Sequence, residues 1–290
     1  MKVDLMIIGA MKCGTTTLAD LLKAHEGVSF CKEKEPEFFS KDPDWRANID
    51  RYHALFTQKP GALYAEASTG HTFQPHFNRS IWNDLFDYNP QLKFIYLVRD
   101  PIDRIVSHYM HIYERGYIDL TLEEAVRTVP ILLNVSRYHA QVLPFIERFG
   151  RERVLLLRFD QLMKERDAAL AQVAAFTGLR PDGFPAESVH SNPSIGGNKT
   201  LHWAEQPPRW ARWVRTLTPS PLRERMWNRI TRDKSRNFTT KPELSSQWKE
   251  AVMRLLGSDV LALEKLTGWD LTSWWEHAGL ERPEQRTIDG

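Results

Sequence analysis

Residues 7–18 read IIGAMKCGTTTL. An apolar run ends at Ile8, a glycine-bounded loop follows, and a helical pattern begins near Thr15. Residues 3–8 read as a buried strand, and residues 15–25 as a helix with Leu18, Leu21 and Leu22 on one face. Gly9 and Gly14 permit backbone geometry that other residues resist and let a ligand approach the main chain. The loop amides, those around Cys13 included, and the helix N-terminus form a nest for an anion. Lys12 adds a full positive charge, and Thr15, Thr16 and Thr17 add hydroxyl donors. This is machinery for cradling phosphate. It departs from the standard loop, G-x-x-x-x-G-K-[ST]. The two glycines have the right spacing, but position 15 is Thr and the lysine stands at position 12. In the standard motif the residue after the lysine holds magnesium. The displaced lysine points to a different phosphate geometry and to no metal.

Outward from this stretch the pattern repeats. Val28–Phe30, residues 63–66, Lys93–Val98 (KFIYLV) and residues 154–157 read as further short buried strands. Asp100-Pro101 opens a helix over 102–114, with proline in its first turn. Residues 136–149 form another helix, closed by Gly150, and residues 244–266 an amphipathic one. Apolar strands alternating with helices indicate a parallel sheet covered on both faces. The expected class is therefore α/β: a three-layer, P-loop-like fold with a central parallel sheet flanked by helices and a C-terminal helical elaboration. Residues 1–180 would form the nucleotide-binding core, and 181–290 a helical cover completing the sheet-edge cleft, in one domain.

Composition fits that reading. A chain of 290 residues suits one large domain with an elaboration. With 42% hydrophobic and 26% charged residues it is an ordinary globular sequence, not a disordered or collagen-like one. Its 39 Lys and Arg against 37 Asp and Glu leave a net charge of +2, so no polybasic or nucleic-acid binder is indicated. Cys13 and Cys31 are the two cysteines, which excludes a disulfide scaffold and offers no zinc spacing. The apolar runs fall far short of the roughly 20 residues that span a bilayer. The N-terminal residues make a poor signal peptide. The expectation is a cytoplasmic protein with no integral membrane segment.

A second anion site lies at 94–108, FIYLVRDPIDRIVSH. Arg99 ends a buried strand, the edge at which open α/β sheets bind ligands. Arg104 and Ser107 are neighbours on the following helix. Alone, Arg99 reads as an ion-pair partner of Asp100 or Asp103. Beside a first anion site on the same edge, it reads as a charge-assisted phosphate contact. Two such sites imply a ligand with phosphate at both ends.

These two stretches resemble a known family. GAMKCGTTTL looks like the 5′-phosphosulfate loop of sulfotransferases that use 3′-phosphoadenosine-5′-phosphosulfate (PAPS), in the bacterial and carbohydrate-type branch. LVRDPIDRIVSHY looks like their 3′-phosphate element, an arginine followed eight residues later by a serine, here Arg99 and Ser107. The Ser136-Arg137-Tyr138 helix start, FGRERVLLLRFDQL (149–162) and DVLALEKLTGWDLTSW (259–274) also resemble the family. The resemblance implies that Lys12 contacts the phosphosulfate and the departing oxygen. It implies that Cys13, Gly14, Thr15, Thr16 and Thr17 hold the 5′-phosphate, that Tyr138 lies near the nucleotide, and that transfer uses no metal. Lys199, in SIGGNKT (194–200), reads as a contact at the 3′ end.

Residues 32–39, KEKEPEFF, resemble the family segment whose glutamate serves as base, which puts that role on Glu35. Taken alone, the same run reads as a charged loop with Phe38 and Phe39 as core anchors. His71 and His76 are the rival bases. Lys34, Glu37, Ser68 and His71 are the candidate acceptor contacts. Residues 65–69 resemble the family's E-K-[ST]-P element, but Ala67 replaces its lysine and Thr69 its proline. Tryptophans and arginines over 203–232 read as a structural cover, with an acceptor lid as second reading. The function implied is sulfuryl transfer from PAPS to a hydroxyl of a saccharide, glycolipid or small metabolite, leaving 3′,5′-adenosine bisphosphate. The alternatives are a kinase using Mg-ATP and a non-catalytic nucleotide- or glycan-binding module on the same fold.

Overall fold

A computed structural model of the chain describes residues 1–185 and 238–283. Lys199 and the 203–232 segment lie outside the described residues. Five strands form one parallel sheet: β1 (Leu5–Gly9), β2 (Val28–Phe30), β3 (Leu63–Ala67), β4 (Lys93–Val98) and β5 (Val154–Arg158), in the order β2-β3-β1-β4-β5. The chain leaves β1 toward β2 through α1 (Thr15–Ala24). It leaves β4 toward β5 through α5 (Pro101–Glu114). Adjacent strands β1 and β4 thus send the chain in opposite directions, which opens a crevice at their carboxyl ends. Both anion motifs follow these two strands, and Ala10 N–H donates to the Leu97 carbonyl at 2.8 Å to join them.

Between these elements run α2 (Phe38–Lys41), α3 (Ile49–His53), α4 (Ile81–Tyr88), α6 (Leu122–Thr128), α7 (Ile131–Asn134), α8 (Tyr138–Phe149), α9 (Phe159–Lys164) and α10 (Arg166–Thr177). The C-terminal part adds α11 (Ser246–Thr267) and α12 (Thr272–His277). The fold class agrees with the sequence reading, strand for strand.

The boundaries differ for local reasons. β1 begins at Leu5 rather than Val3, because Val3 is paired by side chains: its N–H donates to Tyr88 Oη at 2.8 Å and its carbonyl accepts from Asn89 Nδ2 at 2.8 Å. Helix α8 begins at Tyr138 rather than Ser136. Its first amides are capped from outside, with His139 and Ala140 N–H donating to the Asp259 carboxylate at 3.0 and 2.9 Å. A carboxylate at a helix N-terminus satisfies free donors and complements the dipole.

The core explains the amphipathic patterns. Leu18, Leu21 and Leu22 are at most 1% exposed, each burial contributing about 1.5–3 kcal/mol. Phe38 and Phe39 join Trp45, Tyr52 and Tyr88 in one aromatic cluster. Among the described residues no helix is long and apolar enough to cross a membrane. Cys13 and Cys31 are both buried free thiols.

Candidate active site

The loop after β1 is shaped by close approaches. Lys12 adopts φ 70° and Gly14 φ 87°, both left-handed. Among the described residues no side chain caps α1, and its first intrahelical bond runs from Leu18 N–H to the Gly14 carbonyl. The amides of Thr15, Thr16 and Thr17 precede that bond, so they head the helix as anion donors. Gly14 lies against Phe159: a Cβ there would sit 2.8 Å from that ring. The Arg99 guanidinium lies over the same ring, 4.6 Å from its centroid. Phe159 therefore bridges the two anion motifs.

Tyr138 bridges them a second time. It is fully buried, donates to the Arg99 carbonyl at 2.7 Å, and has its oxygen 3.8 Å from Cys13 Sγ. Trp274 of α12 packs behind it, at 6.1 Å between ring centroids. The structure thus sets Tyr138 behind the loop as a strut, not on the cleft surface. Cys13 is corrected likewise. Its side chain is buried, its amide donates to the Ala10 carbonyl at 3.1 Å, and burial pushes the thiol up to about 11. It shapes the loop without offering a reactive sulfur.

Arg99 has the ion pair that the sequence allowed, but a loose one, 3.5 Å from Asp103 and partly exposed. Such a pair is worth about 1 kcal/mol or less. Asp103 also pairs with Lys241, so Arg99 is not its sole partner. Arg99, Asp103 and Ser107 are spaced i, i+4, i+8, which places them on one side of α5 and its entry. Arg104 points elsewhere. It is fully buried, and its Nε donates to Ser136 Oγ at 2.6 Å. Its other nitrogens donate to His108 Nδ1 at 3.1 Å and to the Leu132 carbonyl. It ties α5 to the turn before α8. Its sequence signal was the i, i+4 pairing with His108.

The third piece is residues 33–40 against residues 66–72. Ser68 N–H donates to the Ile7 carbonyl at 3.1 Å, and Thr72 Oγ1 donates to the Ile8 carbonyl at 2.6 Å, so the turn after β3 is fastened to the end of β1. Gly9 is required there, since a Cβ would meet Thr72 Oγ1 at 2.3 Å and Tyr96 at 2.8 Å. Thr69 Oγ1 then donates to Glu35 Oε2 at 3.4 Å. This chain of contacts brings the Glu35 loop to the same sheet edge as Lys12. Glu35 and Lys34 are exposed. Crowding by protein raises the Glu35 pKa, the Glu37 carboxylate raises it further, and Lys34, Thr69 and Arg115 oppose both.

Three of the candidate acceptor contacts are buried, as are Thr15 and Ser107. Glu37 is 7% exposed, and Ser68 and His71 are wholly inside. Ser68 Oγ donates to Glu66 Oε2 at 2.7 Å, and His71 Nδ1–H donates to the Ser68 carbonyl at 2.8 Å. Burial pushes Glu66 up to about 8 and pulls His71 below its usual value. These two face each other, His71 Nε2 3.6 Å from Glu66 Oε1, beneath the site. A group sealed this way cannot collect a proton from a bound hydroxyl, so His71 is no rival base. His76 is exposed and lies 3.1 Å from Asn134 Nδ2, away from the loop contacts described above.

Gly14→Ala is expected to cost about 1–2 kcal/mol for the left-handed conformation, lowering Tm by about 2–8 °C. The displaced Phe159 ring should also loosen Arg99. Thermal denaturation alongside nucleotide titration checks both, and unchanged nucleotide affinity would argue against the Phe159 bridge.

Comparison with known proteins places these features in context. The profile of the sulfotransferase domain matches residues 2–195. Carbohydrate sulfotransferase 15 of Mus musculus is 21% identical over 286 residues, covering 75% of this chain and 50% of its own length. Heparan sulfate glucosamine 3-O-sulfotransferase 5 of Mus musculus is 24% identical over 190 residues, covering 61% of this chain and 53% of its own. The chain spans about half the length of these curated relatives. Among solved structures, a sulfotransferase from Alicyclobacillus acidocaldarius superposes with a TM-score of 0.65 at 22% identity, over 94% of this chain and 99% of that one.

Proposed function

The chain belongs to the sulfotransferase domain family, and from that premise we propose that it moves a sulfuryl group from PAPS to an acceptor hydroxyl. One observation carries the reading: two anion-binding elements, at the adjacent ends of β1 and β4, are held together by Phe159 and Tyr138. A donor with phosphate at both ends of a nucleoside fits that spacing of roles. The uncapped head of α1 and Lys12 take the 5′ side, with the hydroxyls of Thr15, Thr16 and Thr17. Arg99 and Ser107 take the 3′-phosphate.

The donor supplies an activated sulfuryl group when bound. Glu35 takes the proton from the acceptor hydroxyl as its oxygen bonds to sulfur. Lys12 offsets the negative charge left on the phosphate oxygen as the old sulfur–oxygen bond breaks. Lys34, exposed beside Glu35, is the candidate acceptor contact on this loop. The names of the curated relatives favour a saccharide acceptor. The reading assigns no step to a metal ion.

Arg99→Ala tests the assignment of the phosphate sites. Loss of a charge-assisted contact worth about 1.5–3 kcal/mol is expected to weaken 3′,5′-adenosine bisphosphate by about 10–150-fold. Binding of 5′-adenosine monophosphate, which lacks the 3′-phosphate, should barely change. Equal losses for the two nucleotides would show that Arg99 does not read the 3′ end.

A further inference from the structure

Glu37, set aside above as an acceptor contact, has every polar group committed. Its Oε1 accepts the Gly70 N–H at 2.9 Å, and its Oε2 accepts the Ser40 hydroxyl at 2.6 Å. Its own N–H donates to Ser68 Oγ at 3.0 Å. The residue before Gly70, Thr69, is the one that holds Glu35. Two consecutive residues of the β3 turn therefore grip two carboxylates of one loop. Only glycine allows this approach, since a Cβ on Gly70 would lie 1.9 Å from Glu37 Oε2. Glu35 and Glu37 both adopt left-handed backbone, at φ 51° and 53°. Each such residue costs about 1–2 kcal/mol, so the loop keeps this shape because the contacts impose it.

We propose that Glu37 is a positioning residue for Glu35: held by Gly70, Ser40 and Ser68, it locks the base loop onto the β3 turn and fixes a second carboxyl group two residues from the base. The inference rests on the reading of Glu35 as base. Like charges held close in a partly desolvated site stabilise a proton on one of them. Protein crowding and Glu37 raise the Glu35 pKa, while Lys34 on the same loop and Arg115 beyond α5 lower it. Glu66 on β3 adds a carboxyl from below, its pKa pushed up by burial, and His71 stands behind it. Among the carboxyl groups here, Glu37 is the one with a described hydrogen bond to each of its two oxygens. The loop brings Glu35 a fixed carboxylate of its own.

The test is a carbon-13 NMR titration of the Glu35 carboxyl in the full chain, assigned by the signal lost in Glu35→Gln. It needs no acceptor. Glu37→Gln keeps an oxygen for the Gly70 N–H but removes the charge. It should shift the Glu35 midpoint down, toward the free-glutamate value of about 4.3. Gly70→Ala, which pushes the carboxylate away without removing it, should shift it the same way. Glu37→Asp, which retains the charge, should keep the midpoint raised. A Glu35 midpoint unmoved in both Glu37→Gln and Gly70→Ala overturns the inference and leaves the transferase reading standing. Undiminished turnover of PAPS in Glu35→Gln overturns the base assignment itself.

Discussion

Replacing Lys12 with methionine is expected to lower kcat by about 10²–10³-fold, the usual loss when one preorganised group facing developing charge is removed. Lys12 stands in the loop between Gly9 and Gly14, in left-handed backbone, and its field reaches both Cys13 and His108. The leaving oxygen gains most of its charge in the transition state, so a cation there stabilises that state more than the bound donor. The loss should therefore fall on kcat. Binding of 3′,5′-adenosine bisphosphate should drop much less, because the proposed contacts from the head of α1 and Arg99 remain. A Lys12→Met enzyme with wild-type kcat and a raised KM would assign Lys12 to uniform binding instead.

Glu35→Gln should cost about 10²–10⁴-fold in kcat, the range for a positioned general base, with nucleotide affinity unchanged. The sign of the pH effect follows from the raised pKa. A base works when deprotonated, so if the proposed role holds, kcat/KM of the native protein should rise with pH through the Glu35 titration. That acid limb should be shifted upward from that of an unperturbed glutamate, because crowding and Glu37 raise the Glu35 pKa. The limb should be missing from the residual activity of Glu35→Gln. A limb retained unchanged in that variant would move the base to another residue.

The fold was legible because its signals are local. KFIYLV followed by Asp100-Pro101 marks a buried strand and a helix start within ten residues, and β4 and α5 lie where that pattern puts them. The strand–loop–helix unit of β1 and α1 was legible for the same reason. What remained hidden depends on partners far along the chain. Glu37 looks like an accessible charge in KEKEPEFF, and only Gly70 and Ser68, more than thirty residues on, draw it inside. His71 looks like a mobile base until Glu66 and Ser68 enclose it. Phe159 carries no sequence signal as the bridge between Gly14 and Arg99, because nothing local in FDQL names its partners. The tail motif at 259–274 had a visible pattern, but its work lies elsewhere: Asp259 caps α8 and Trp274 supports Tyr138.

Those long-range contacts all bear on the proposed arrangement, a cleft that would hold phosphate at two ends of a nucleoside beside a carboxylate base. Calorimetric titration with 3′,5′-adenosine bisphosphate, with magnesium and then with a chelator, and with ATP as competitor, tests it most directly. The account predicts tight binding that is indifferent to magnesium and that ATP does not displace. Failure to bind the bisphosphate, with magnesium-dependent binding of ATP in its place, would contradict it.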